Sequence, residues 1–155
     1  METWRKNIFA EHCGNYDFVQ DNCSKSSFGV LRGLHYQLRN PQGKLVRVSS
    51  GRVWDVVVDL RASSPFFGKY YFQELSAENH LLFWIPPGFA HGFYVLSETA
   101  EFSYKCTAYY TPGDEYCLRW DDSHVGIEWP LDGNNPQISA KDEKGLSWAD
   151  CPKFN

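Results

Sequence analysis

The chain has 155 residues, of which 43% are hydrophobic and 22% charged, and it carries a formal net charge of -4. That length suffices for a self-sufficient core in one domain spanning 1–155, and the acidic balance, with no basic run, argues against nucleic acid or an anionic membrane as partner. No apolar run approaches a membrane span, and the opening "METWRKNIFAEHC" lacks the apolar centre of a secretory signal.

Residues 3–12 predict a short helix that stops at the turn signal "GN". From Val30 onward the pattern changes to short β-branched and aromatic runs at 30–37, 44–49, 53–60, 69–75, 80–85, 91–97, 101–109 and 116–120. Turn residues punctuate them: "NPQG", "SG", "SSPFFG", "SAEN", "PPG", "SE" and "TPGDE". Strands at this spacing, without amphipathic helices between them, predict an antiparallel sandwich or barrel. Past "WP" at 129–130 the chain turns polar with little periodicity, with one short helix expected near 140–149. The five cysteines are odd in number and form no CxxC pair, so reduced thiols in a cytoplasm are expected rather than a disulfide framework or zinc.

Alternation along the strands assigns faces. In 53–60, Trp54, Val56, Val58 and Leu60 share one face, and Val53, Asp55, Val57 and Asp59 the other. Lys44 shares a face with Val46 and Val48, His91 with Phe93 and Val95, and Tyr104 with Phe102 and Cys106. Taken singly, each of the three is a strand-end residue reaching solvent or a core polar group with a backbone partner. Together they suggest a lined pocket inside a barrel. His35 lies on the face of Leu31, Gly33 and Gln37, whereas strict alternation points Arg32 the other way. The two serve one site only if Gly33 marks a bulge that re-aims one of them. His12, His35, His80, His91 and His124 form no pair with ligand spacing, so no catalytic metal is expected.

The blocks "FVQDNCSKSSFGVLRGLHYQ", "QGKLVRV", "GRVWDVVVDLR", "WIPPGFAHGFYVLSE", "YKCTAYYTPGDE", "IEWP" and "ISAKD", in that order, resemble the dTDP-4-dehydrorhamnose 3,5-epimerase family of cofactor-free cupins. The resemblance implies an all-β, double-sheet jelly roll, usually dimeric, acting on a dTDP-4-keto-6-deoxy sugar. By motif, His35 in "RGLHYQ" corresponds to the catalytic base and Asp142 in "SAKD" to the carboxylate that orients it. Lys44 in "QGKLVR" corresponds to the cation beside the C4 carbonyl oxygen, and Tyr104 in "EFSYKC" to the acid on the opposite sugar face. Arg32, Gln20, Asn22, His91 and Tyr110 match positions lining the sugar-nucleotide site, and Asp55 a carboxylate near the lysine.

Family members typically carry an additional N-terminal strand with a "D-x-R-G-x-F-x-E" motif, of which only the last residue, Glu2, is present. The arginine of that motif helps grip the diphosphate across the dimer, so weaker substrate binding is expected, with Glu2 retained at the site. Two other readings stay open: a mono-epimerase at C3 or C5, and a catalytically silent sugar-nucleotide-binding cupin.

Overall fold

The computed structural model describes residues 2–155. Among them the order is helix α1 (Lys6–Cys13), then β1 (Gln20–Ser27), β2 (Val30–Gln37), β3 (Lys44–Ser50), β4 (Arg52–Asp59) and β5 (Tyr70–Ser76). There follow β6 (Phe83–Ile85), β7 (Phe89–Val95), β8 (Thr99–Cys106), β9 (Glu115–Cys117), β10 (Gln137–Ile138) and a 3-10 turn at Asp142–Lys144. The strands build a double-sheet jelly roll: a four-stranded sheet ordered β1-β8-β3-β6, and a six-stranded sheet ordered β10-β2-β7-β4-β5 with β9 also paired to β2. The contact of β10 with β2 is parallel, and the other strand pairs are antiparallel.

The alternation in β4 sorts its residues as the sequence pattern requires. Val53 and Val57 pack between the sheets with Val46, Val48, Phe93 and Phe102. Val56 and Val58 pack on the opposite face of the larger sheet with Leu34, Tyr36 and Leu118. The larger sheet is therefore apolar on both faces. Its outer face is covered by the C-terminal segment, which contributes Val125, Trp129, Trp148, Cys151 and Phe154. That segment has no periodicity because it is held by point contacts: the Tyr36 hydroxyl donates to the Pro152 carbonyl at 2.7 Å, and the Trp129 indole to the Trp120 carbonyl at 2.9 Å. On the other side of the molecule α1 sets Phe9 against Phe18 and Trp84, with ring centroids 5.2 and 5.0 Å away.

Three local expectations are corrected. β1 was not anticipated: "QDNCSKSS" has no apolar alternation, and it is a strand because its backbone pairs along its full length with β8. The helix expected over 140–149 is only the 3-10 turn. It ends where Gly145 packs against the Arg119 backbone, and Leu146 then exchanges hydrogen bonds with the β9 end, its N–H to the Cys117 carbonyl at 2.8 Å and its carbonyl from the Arg119 N–H at 2.9 Å. β7 starts at Phe89, directly after "PPG", two residues earlier than expected, a shift that leaves the parity of His91 unchanged.

Candidate active site

β2 supplies two side chains that simple alternation would separate. Arg32 stands opposite Phe93 and His35 opposite His91, so three residue steps on β2 match two on β7, with a cis peptide at Gly33–Leu34. The extra residue is a bulge, and it turns both Arg32 and His35 into the space between the sheets. Glycine is required there: Gly33 has φ +110°, and a Cβ on it would lie 2.6 Å from the His91 carbonyl oxygen.

His35 and Asp142 meet with Nε2 to Oδ1 at 2.5 Å, His35 being 25% exposed and Asp142 3%. The second carboxylate oxygen accepts the Gly33 N–H at 3.3 Å, so the bulge also aims the acid. Burial pushes the Asp142 carboxyl up. The bond to His35, its charge, the Gly33 N–H and the Ser139 hydroxyl outweigh that and hold it below the usual carboxylate range.

The smaller sheet forms the opposite wall. A cavity of about 240 Å³ is lined by Arg32, His35 and His91 from the larger sheet and by Lys44, Phe102 and Tyr104 from the smaller one. Burial lowers the Lys44 pKa from that of a free lysine, opposed by Cys106, Glu115 and Asp55. Burial raises the Tyr104 phenol, with Cys106 and Glu115 adding and Arg32 opposing, so it keeps its proton at neutral pH. On the inward face of β4, in the larger sheet, Asp55, with no exposed surface, accepts from His91 Nε2 at 3.0 and 2.9 Å. Burial raises the Asp55 carboxyl, and His91 and Lys44 counter it. Asp59, on the same face of β4, instead anchors a turn by accepting from Arg61 and Ser64.

An adjoining space of about 340 Å³ opens past His35, Lys44 and Tyr104 toward Gln20, Asn22 and Tyr110. Gln20 and Asn22 are joined by a 3.0 Å hydrogen bond, and the Tyr110 N–H reaches Gln20 Oε1 at 3.0 Å. The loop carrying Tyr110 is pinned from below. The Asp114 carboxylate accepts the Arg39 and Asn40 N–H groups at 2.9 and 2.8 Å, and Gln37 Oε1 accepts the Thr111 N–H at 2.7 Å. Glu2 is not brought to this site: it pairs with Arg5 at 2.8 Å and lines a separate depression with Arg47 and Leu82. Another hollow, of about 260 Å³ beside Trp4 and Leu45, has no comparable convergence, since its Lys105 and Asp21 neutralise each other at 2.7 Å.

Three residues at the site were not anticipated. Glu115 lines both spaces, Lys141 contacts its carboxylate, and the Cys117 sulfur lies 3.8 Å from Asp142 Oδ1. Lys141 sits in a turn, and Glu115 and Cys117 on a strand of three residues, too short for a period to reveal a face. His35, Cys117 and Asp142 place ligand-type atoms within 4.8 Å of one another. Ions bound at ~2.0–2.1 Å hold tetrahedral ligands roughly 3.3 Å apart. The 2.5 Å between His35 and Asp142 is a hydrogen-bond separation instead.

A family model described as dTDP-4-dehydrorhamnose 3,5-epimerase matches residues 1–150. The dTDP-4-dehydrorhamnose 3,5-epimerase of Pseudomonas aeruginosa is 53% identical over 155 residues, covering 99% of this chain and 85% of that one. Among solved structures, the chain resembles a dTDP-6-deoxy-D-glucose-3,5-epimerase from Legionella pneumophila in complex with dTDP-4-keto-L-rhamnose. The TM-score is 0.94 and the identity 49%, over 97% of this chain and 80% of that one. It also resembles a 3'-monoepimerase from Streptomyces bikiniensis in complex with dTDP-quinovose, with a TM-score of 0.89 and 33% identity over 96% of this chain and 75% of that one. The chain belongs to the dTDP-4-dehydrorhamnose 3,5-epimerase family.

Proposed function

We propose that the chain inverts C3 and C5 of dTDP-4-dehydro-6-deoxy-D-glucose, by removing and returning a proton on each side of the C4 ketone. The observation that carries this reading is the placement of His35, backed by Asp142, on one wall of a cavity whose other wall holds Tyr104 and Lys44. Inversion needs a base on one face of a carbon and a proton donor on the other, with a cation at the carbonyl oxygen between them. A ring lying between the two sheets meets all three.

Both C–H bonds are acidic because each neighbours the carbonyl, and the intermediate is an enolate. His35 takes the proton, and Asp142 fixes its tautomer and stabilises the imidazolium that results. Lys44 faces the developing oxyanion, where a preorganised donor contributes ~3–4 kcal/mol. Tyr104, held in its phenol form, returns a proton from the opposite wall. The oxidation state of the sugar does not change, so the steps require no electron carrier. Arg32, Gln20, Asn22 and Tyr110 extend from this centre along the adjoining space and suit the nucleotide end of the ligand.

We place the enzyme in the cytoplasm as a homodimer. Five unpaired cysteines suit a reducing compartment, and no helix among the described residues is long and apolar enough to cross a membrane. Exposed Phe66 and Tyr71, with ring centroids 6.2 Å apart on one side of the edge strand β5, offer an apolar surface for a second copy to cover, which sedimentation would detect.

Incubation with the dTDP-4-keto sugar in D2O, followed by NMR, tests the activity. Deuterium at both C3 and C5 is expected. Label at one carbon alone would make the enzyme a mono-epimerase, and binding without label at either would make it a binding protein.

A further inference from the structure

We infer that Cys117 is a positioning residue for the His35–Asp142 pair: its thiol donates to the carboxylate oxygen that holds His35 and limits how strongly that carboxylate favours the imidazolium. β9 pairs with β2 so that Cys117 stands directly opposite His35. The sulfur lies 3.8 Å from Asp142 Oδ1, the same oxygen that His35 Nε2 approaches at 2.5 Å. The carbonyl of Leu118, 3.6 Å from the sulfur, is the competing acceptor. A carboxylate draws a donor more strongly than a neutral carbonyl does.

The thiol remains a donor throughout the neutral range. Burial first, and then the charges of Asp142 and Glu115, push its pKa up to about 12. A thiolate at this position would repel Asp142. Two donors on Oδ1 and the Gly33 N–H on Oδ2 share the carboxylate charge, so His35 receives only part of it. Without the thiol more charge falls to the imidazole, and its protonated form gains.

Other charged or titratable groups also face His35: Arg32 from its own strand, His91 across on β7, Lys44 and Tyr104 from the opposite wall, and Glu115 and Lys141 at the rim. All are retained when only Cys117 is changed, so a difference between wild type and variant reports the thiol.

The inference rests on His35 being the base of the proposed epimerase only for its kinetic consequence, and the titration of His35 is observable without substrate. The experiment is an NMR titration of the His35 imidazole in the wild type, Cys117→Ala and Cys117→Ser, with the deuterium-exchange assay run in parallel. In Cys117→Ala the midpoint should rise by about half a pH unit, the scale of one hydrogen bond from a weak S–H donor. The acid limb of kcat/KM should rise with it, while KM stays constant. Serine restores a donor and should bring the midpoint back to the wild-type value or below. An unchanged midpoint in Cys117→Ala, or equal shifts in the alanine and serine variants, would overturn the inference. Absence of exchange in the wild type while the midpoint still moves would overturn the epimerase reading and leave this one standing.

Discussion

His35 and His91 stand opposite each other on neighbouring antiparallel strands, and each is bonded to its own aspartate, His35 to Asp142 at 2.5 Å and His91 to Asp55 at 2.9 Å. The pairs differ in access. His35 is 25% exposed and opens into the cavity, whereas the side chains of His91 and Asp55 are 8% and 0% exposed. One pair is placed to exchange protons with a ligand, and the other to hold the wall behind it.

Alanine at these two positions should therefore fail in different ways. His35→Ala removes a half-buried ring and should lower deuterium exchange by about 10²–10⁴-fold, the range of general-base catalysis, with little change in Tm. His91→Ala strips the partner from a carboxylate with no access to water. The pKa of Asp55 is already raised by burial, so it takes up a proton rather than staying charged, and the loss is roughly 1–3 kcal/mol. At about 2–4 °C per kcal/mol for a chain of this size, calorimetry should show a clear drop in Tm. Exchange retained in His35→Ala would remove it as the base.

Lys44→Met should separate activity from stability. Burial depresses the Lys44 pKa, so its charged form costs free energy on folding at any pH below the depressed value. That cost fades as pH climbs through the depressed pKa toward the unfolded value of ~10.4. Methionine fills the space without the charge, so the variant should be more stable than wild type at neutral pH, with the two converging above about pH 10. Turnover should fall by roughly 10²-fold or more, since the oxyanion loses its cation, while the Kd for dTDP changes little. Equal losses in turnover and affinity would assign Lys44 to binding instead.

Parity alone placed Lys44, His91 and Tyr104 on inward faces, because the strands are regular around these positions: the one register shift of β3 against β8 comes later, between Val48 and Ser50. Asp142 carried no such signal. It lies in a turn, and the resemblance to family motifs is what singled it out; its burial against His35 is a product of the fold. Glu115 and Cys117 sit on a strand of three residues, too short to show a period. β1 was invisible for a related reason: an edge strand with an open outer face needs no apolar alternation. What sequence pattern misses here is whatever is set by pairing across the molecule.

Gly33→Ala tests the bulge. The residue has φ +110°, and the added Cβ would lie 2.6 Å from the His91 carbonyl and 2.7 Å from the Gly92 Cα, neither of which can rotate away. A cost of about 3 kcal/mol or more is expected, together with loss of exchange as Arg32 and His35 are driven apart. Gly133→Ala is the control. It has φ +80° but no atom within 4 Å of the added Cβ, so it should lose only ~1 kcal/mol and keep full activity. If Gly33→Ala behaves like Gly133→Ala, the bulge does not set the geometry of the site.

Asp142→Asn should show both halves of the pair at once. The Asp142 pKa is depressed in the folded state, against the pull of burial, by His35, the Gly33 N–H and Ser139. A depressed carboxylate adds stability that is complete above its unfolded pKa of ~3.9 and disappears as pH falls through the folded value. Wild type should therefore lose stability as pH falls below about 4 more steeply than the asparagine variant, which starts lower at neutral pH and has less to lose. Asparagine can still accept a hydrogen bond from His35, so the ring stays in place, but the imidazolium loses its counter-charge. Exchange should drop by about 10²-fold or more, and its acid limb should move to lower pH because the imidazole is now easier to deprotonate. Urea titrations across this acid range measure the first effect, and deuterium exchange against pH the second. An acid limb that stays in place would mean that the carboxylate orients His35 without tuning its charge.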